Sequence, residues 1–213
     1  MYGLILCRRL RAMEDANFFK MKIDKKIINI LKTGGVGVLP TDTLYGLVGS
    51  AMKKTAVERI YQLKKRTPQK PFIILISDIN DLKLFGVRLV SDICLTLKRF
   101  WPGPVSVILN CPNLQNNLVY LKPLAGTLAF RCPKDKWLHN LLKRTGPLVA
   151  PSANWEGAAP ANNIEQAKRY FNDTVNFYLD AGELSGLPST LIVIKDGKIE
   201  VLRQGKLKMK SEK

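Results

Sequence analysis

The sequence predicts an α/β domain, a twisted mixed β-sheet with flanking helices, and three observations carry that prediction. Short runs rich in Val, Ile and Leu alternate with amphipathic stretches of helical period. Capping residues and Gly or Pro stops fall at the junctions between them. Asp196-Gly197 separates two strand-like runs, 191–195 and 198–203, as a two-residue hairpin signal.

Taken in order, Asp24 is an N-cap candidate for a helix through Leu31, with Ile27, Ile30 and Leu31 on one face and Gly34-Gly35 to stop it. Residues 36–39 read as a buried strand. Thr55 is the expected cap of a second helix, in which Val57, Ile60, Tyr61 and Lys64 recur at helical spacing. Thr67-Pro68 is its expected end, because the residue before proline is pushed out of the helical region. Residues 72–76 form a β-rich run. An amphipathic helix is expected over 89–100 with Val90, Ile93, Cys94 and Leu97 inward; it is cut by Trp101-Pro102-Gly103-Pro104, which leads into a strand at 105–109. Further strands fit 127–130, 148–150, 175–179 and 191–194. Further helices fit 135–142 and, capped by Asn163, 164–171. No repeat, low-complexity segment or linker divides the chain, so one domain over 22–206 is expected. A flexible extension (1–21) would precede it and a basic tail (207–213) follow it.

Composition narrows the function classes. The net charge is +17, from 34 Lys and Arg against 17 Asp and Glu, which points to an anionic partner or to a solvated basic surface. Cys7, Cys94, Cys111 and Cys132 are scattered without a C-x-x-C pair, and His139 is the single histidine. That excludes a recognisable zinc site or disulfide framework and makes a reducing cytosol the default. His139 reads as a surface or satisfied side chain. No apolar run reaches the roughly 20 residues of a membrane span. Leu4-Ile5-Leu6 is too short for a signal peptide, and its arginines follow rather than precede it.

Four segments interrupt the core pattern with polar residues. "LPTDTLYGL" (39–47) places Thr41-Asp42-Thr43 at the lip of a strand, as a capped turn or as a floor of hydroxyls for a ligand, with Tyr45 and Gly46 shaping the turn beneath. "LKKRTPQKP" (63–71) sets Lys64 and Arg66 two residues apart, with Lys70 close behind. The pair reads as a phosphate clamp or as a basic helix end complementing the dipole. "APSANWEGAAP" (150–160) puts Ser152 and Asn154 at a strand end, where open α/β sheets bind ligands and where plain turns also occur. "GLPSTLIVI" (186–194) and "LRQG" (202–205) bring Ser189 and Arg203 to one hairpin. Neither a P-loop nor a G-x-G-x-x-G fingerprint is present.

Together with "FWPGPVSVIL" and "LAFRCP", these segments resemble, in order and spacing, the YrdC family of threonylcarbamoyl-AMP synthases, in its short single-domain form, over about 24–205. The resemblance implies a basic concave cavity and synthesis of L-threonylcarbamoyl-AMP from L-threonine, bicarbonate or CO2, and ATP with Mg2+. It implies release of pyrophosphate, a place upstream of the t6A transferase complex that modifies tRNA, and a cytoplasmic location. By the same resemblance Lys64 and Arg66 contact the nucleotide phosphates as the catalytic pair. Ser106, Ser152, Asn154 and Arg203 lie on the ATP side, and Thr41, Arg131 and Ser189 hold threonine. No protein metal ligand is implied. Two departures stand out: Ser106 where the family has Thr, and Leu75 where long forms carry His. The competing expectation is a module that holds double-stranded RNA or tRNA in the same basic concavity through phosphate contacts.

Overall fold

A computed structural model describes residues 23–67, 70–121, 125–195 and 197–211. The chain enters through α1 (Lys25–Lys32), whose N-cap Asp24 accepts a bond from Lys26 N–H. It then forms β1 (Val36–Pro40) and β2 (Tyr45–Ser50), an antiparallel hairpin paired from Val36–Gly49 to Pro40–Tyr45. Tyr45 and Gly46 therefore belong to a strand, not to the expected turn; Thr41–Leu44 is the loop. Every residue of β2 is buried, so polar Ser50 and two glycines hide it from an alternation test. Gly49 is used for close approach: a Cβ there would lie 3.1 Å from Ala56 Cβ and Ile60 Cδ1 of the next helix.

That helix, α2 (Lys54–Leu63), differs from expectation at both ends. Its N-cap is Lys53, whose side chain has no acceptor to cap with; the Lys53 carbonyl accepts from Ala56 N–H and Val57 N–H. Thr55 sits inside the first turn. The stop comes before Thr67: Lys65 turns left-handed at φ 50°, and Arg66 N–H bonds back to the Tyr61 carbonyl.

The remaining elements are β3 (Ile73–Leu75), a 3-10 segment at Ile79–Phe85, α3 (Ser91–Phe100), β4 (Val105–Asn110), β5 (Thr127–Arg131) and α4 (Lys136–Thr145). After these come β6 (Leu148–Val149), α5 (Ile164–Phe171), β7 (Phe177–Tyr178), β8 (Thr190–Lys195) and β9 (Lys198–Arg203). Asn163 caps α5 as expected, and Asp135, expected inside its helix, is instead the N-cap of α4. Val90 does not turn inward. It precedes α3 as its N-cap and is 53% exposed, leaving Leu97 as the buried anchor while Ile93 and Cys94 are half-buried. His139 is half-buried on α4.

The strands form one mixed nine-stranded sheet, ordered β7-β1-β2-β6-β3-β5-β4-β8-β9. One face carries the main core, including Val38, Leu47, Ile74, Val107, Phe130 and Ile192. On the other face a smaller core joins Leu39, Val48, Leu75 and Leu148 to α1 and α4 through Leu31, Trp137 and Leu141. Side chains alternate along a strand. Since Val105, Val107 and Phe130 belong to the main core, Ser106 and Arg131 point to the opposite face. They lie beside, not within, the smaller cluster. Among the described residues no helix is long and apolar enough to cross a membrane. Beyond Gly205, Lys206 N–H donates to the Pro188 carbonyl, the Thr190 hydroxyl donates to the Leu207 carbonyl and Val201 N–H donates to Ser211.

Candidate functional site

The site gathers where β5, β4, β8 and β9 run past the edge of the smaller core. Arg131 closes β5 in register with Leu75 and is only 3% exposed. A buried guanidinium needs partners, and here they come from the β1–β2 loop. Its Nη1 donates to the Thr43 hydroxyl at 3.1 Å and stands 3.1 Å from Asp42 Oδ1. The Asp42 contact is ionic without hydrogen-bond alignment, and Arg131 Nε is buried with no acceptor. An unmet N–H on a buried cation, facing a loop of hydroxyls, suits a small carboxylate ligand.

Thr41 does a different job from the one its neighbours do. Its hydroxyl donates to the Leu44 carbonyl at 2.7 Å and accepts from Thr43 N–H and Leu44 N–H, both at 3.2 Å. Thr41 is the cap of the loop, and Asp42 and Thr43 are the residues that face Arg131. The segment before β8 closes tightly on this loop: a Cβ on Gly186 would fall 2.0 Å from the Thr43 carbonyl oxygen, so only glycine fits there.

Ser106 and Ser189 join hydroxyl to hydroxyl at 2.8 Å, both buried. Arg203 donates from Nη2 to the Ser189 carbonyl at 2.9 Å and lies 3.4 Å from its hydroxyl. Burial lowers the Arg203 pKa, and Arg131 and then Arg66 lower it further. Three arginines from distant segments thus share one field. Arg66 is held by the Lys70 carbonyl at 3.0 Å and the Pro71 carbonyl at 3.4 Å, and it lies over the Phe72 ring. Burial lowers its pKa, against the opposing pull of Glu156 and Tyr61.

Lys64 is the least exposed cation of the group, at 1%. Its ammonium donates to the Ser152 carbonyl at 2.5 Å and the Asn154 carbonyl at 2.7 Å, with Asn154 Oδ1 at 3.4 Å. Burial and then Arg66 press its pKa down to about 7, while Glu156 pulls it up. Charge-assisted bonds of this kind contribute about 1.5–3 kcal/mol each, which offsets much of the desolvation. Lys64 is therefore also a strut under the 152–154 loop. That loop is self-braced: the Ser152 hydroxyl donates to Asn154 Oδ1 at 2.6 Å, and Asn154 Nδ2 donates to the Trp155 and Ala158 carbonyls.

The structure thus brings Arg131, Ser106, Ser189, Arg203 and Arg66 into one basic patch, with Lys64, Ser152 and Asn154 alongside. Leu75 shares the face of Arg131 but is fully buried in the smaller core. The Asp42–Arg131 pair and the contacts of Glu156 escaped the sequence, since each joins residues nearly 90 positions apart. Their one sequence-level sign is an isolated acid inside an otherwise basic or hydroxyl-rich motif. Among the described residues no three His, Cys, Asp or Glu side chains gather as a metal site, and the cysteines Cys94, Cys111 and Cys132 are free thiols.

Fold and site together define an α/β protein that concentrates cations and hydroxyls at one end of a mixed sheet, built to hold anions rather than to supply a nucleophile. The family model Sua5/YciO/YrdC, described as "Telomere recombination", matches residues 29–205, and the chain belongs to that family. It is 31% identical over 182 residues to a putative threonylcarbamoyl-AMP synthase of Mycobacterium tuberculosis, covering 84% of this chain and 82% of the relative. It is 29% identical over 182 residues to the threonylcarbamoyl-AMP synthase of Pyrococcus abyssi, where it spans 52% of the relative's length. Among solved structures, P. abyssi Sua5 complexed with L-threonine superposes with a TM-score of 0.76 at 26% identity, over 87% of this chain and 56% of that one. Escherichia coli YciO gives 0.73 at 25% identity, over 84% and 87%.

Proposed function

We propose that this chain condenses L-threonine, bicarbonate or CO2, and ATP into L-threonylcarbamoyl-AMP and pyrophosphate. The shared field of Arg203, Arg131 and Arg66 beside the Ser106–Ser189 hydroxyl pair, with Lys64 coupled to Arg66, carries the proposal. The amine of threonine adds to CO2 and loses a proton, giving an N-carboxylate; starting from bicarbonate, a water leaves. The carboxylate oxygen attacks the α-phosphorus of ATP, the bond to the β-phosphate oxygen breaks, and its electron pair leaves on pyrophosphate. Two anions must meet, so the protein's contribution is alignment and neutralisation of charge.

In this scheme Lys64 and Arg66 are the catalytic cations at the phosphates, with Ser106, Ser152, Asn154 and Arg203 completing the ATP side. Arg131 and Ser189 hold threonine, with Arg131 Nε free to meet its carboxylate; Thr41 acts by closing the loop that presents Asp42 and Thr43. Mg2+ enters as part of the substrate, MgATP, on phosphate oxygens. Residues 22–206 are the working unit and 207–213 an appended basic tail. The product would pass to a t6A transferase complex acting on tRNA in the cytoplasm.

The test is pyrophosphate release from ATP, Mg2+ and bicarbonate with and without L-threonine, with mass detection of the adenylate. Threonine-dependent release with the matching mass supports the assignment; a folded protein that stays silent refutes it. The net charge of +17 favours a subsidiary reading, phosphate-mediated binding of double-stranded RNA or tRNA. RNA affinity falling steeply with salt, beside turnover that does not track it, would separate the two.

A further inference from the structure

One side chain that none of these roles uses ties the Lys64–Arg66 segment to the 152–154 loop. The Glu156 carboxylate receives Thr67 N–H at 2.9 Å and the Thr67 hydroxyl at 3.1 Å on one oxygen, and the Lys70 ammonium at 2.6 Å on the other. Its own N–H donates to the Lys64 carbonyl at 2.8 Å. One residue earlier, Trp155 lies beneath the Lys65 ammonium at 3.7 Å and edge-on to Tyr170. Lys70, the fourth cation of the motif, is therefore turned onto an acid instead of toward the arginine cluster.

The consequence runs through one more bond. The Lys70 carbonyl is the acceptor that fixes Arg66 Nε at 3.0 Å, and it also accepts from the Tyr61 hydroxyl at 3.2 Å. Glu156 thus grips both ends of the stretch from which Arg66 takes its direction. An ordinary exposed ion pair does little, because two long side chains must be ordered in water. This carboxylate differs in accepting a backbone N–H from a segment that has left its helix, alongside the ionic bond. Those bonds, the Lys70 contact first, hold its pKa down at about 2, so it stays ionised throughout the neutral range.

We propose that Glu156 is a positioning residue for nucleotide binding, aligning Arg66 through Thr67 and Lys70. The proposal rests on the synthase reading for its substrate, while the clasp itself exists without one. Glu156→Gln keeps an acceptor for Thr67 but removes the ionic bond; Glu156→Ala removes both; Lys70→Gln removes the ionic bond from the other side. Expected are ATP KM values raised on the order of threefold for E156Q and K70Q and on the order of tenfold for E156A, with kcat within about twofold. The E156Q/K70Q double variant should be no worse than either single change, because both delete one interaction. Faster exchange of the Thr67 amide in E156A without nucleotide should accompany the KM effect. An unchanged KM in E156A overturns the proposal, as does a loss confined to kcat. Single-variant effects that multiply in the double variant overturn it too, and so does faster Thr67 exchange with unaltered KM, which marks a merely structural clasp. If the wild type shows no threonine-dependent pyrophosphate, the same cycle is read as ATP dissociation constants by calorimetry. Failure of the synthase reading and failure of the clasp then remain distinct results.

Discussion

The two halves of the site are built by opposite means. On one side, Arg131, Ser106 and Ser189 project from strand ends and are almost wholly buried, and the β1–β2 loop that meets Arg131 is closed by the Thr41 hydroxyl. On the other side, Arg66, Thr67 and Lys70 lie on irregular chain after a helix, held by carbonyls and by exposed Glu156 contacts. Strand-borne groups gain precision from the core behind them. Loop-borne groups can follow a larger, more variable anion, at lower local stability. Lys64, the neighbour of Arg66, is the exception, a cation buried as deeply as the strand-borne groups.

The sharpest way to break this contrast is at Arg131. Arg131→Ala should abolish threonine-dependent turnover, by on the order of 10²- to 10³-fold. It should also destabilise the fold by about 3–5 kcal/mol, because Asp42 is left with its buried ionic partner gone. Adding Asp42→Ala should restore much of the stability, read by urea denaturation, and none of the activity. Recovery of activity in the double variant would place Arg131 in the scaffold alone.

Lys64 tests the contrast from the other side. Lys64→Ala should stop pyrophosphate release, again by on the order of 10²-fold or more, and loosen the 152–154 loop whose carbonyls it holds. Its depressed pKa adds a signature that no arginine can give. With a folded value of about 7 against an ordinary 10.5, the folded apo chain binds fewer protons than the unfolded chain between those values. The stability cost of burying the ammonium is fully present below about pH 7 and is relieved as pH rises toward 10.5. A bound triphosphate favours the charged form, so nucleotide binding near pH 8 should take up close to one proton. Calorimetry in buffers of different ionisation enthalpy reads this directly, and Lys64→Met should lose it. An uptake near zero in the wild type would mean that the carbonyl cage keeps Lys64 charged throughout.

How much of this the sequence disclosed follows the same division. Helix caps at Asp24 and Asn163, the 198–203 strand and the order of the polar motifs were legible because each is written in adjacent residues. The β2 strand was not: its glycines and serine serve close packing on both faces, which erases the period-2 signal. The end of α2 was misplaced because a left-handed lysine stops it, a conformation that no residue preference announces. Among site residues, those named by a motif are brought together, while the contacts that hold them there are not written in adjacent residues. Thr41 looked like a ligand contact and spends its hydroxyl on the loop, while Asp42 became the partner of a residue 89 positions away.

Ser106 carries the smallest expected effect and the finest distinction. Its hydroxyl is fully buried and has one protein partner, the Ser189 hydroxyl at 2.8 Å, which Arg203 also approaches. Ser106→Ala leaves that partner with Arg203 and open to ligand, so the stability loss should stay near 1 kcal/mol. If the pair only braces β4 against β8, ATP and threonine KM values should both remain close to wild type. If the pair orients a reacting oxygen, kcat should fall by on the order of tenfold with both KM values unchanged, because the lost bond would be one made in the transition state. Ser106→Thr, which keeps the hydroxyl, should then return kcat. A kcat that stays low in the threonine variant would show that steric fit at this crowded position, not hydrogen bonding, sets the rate.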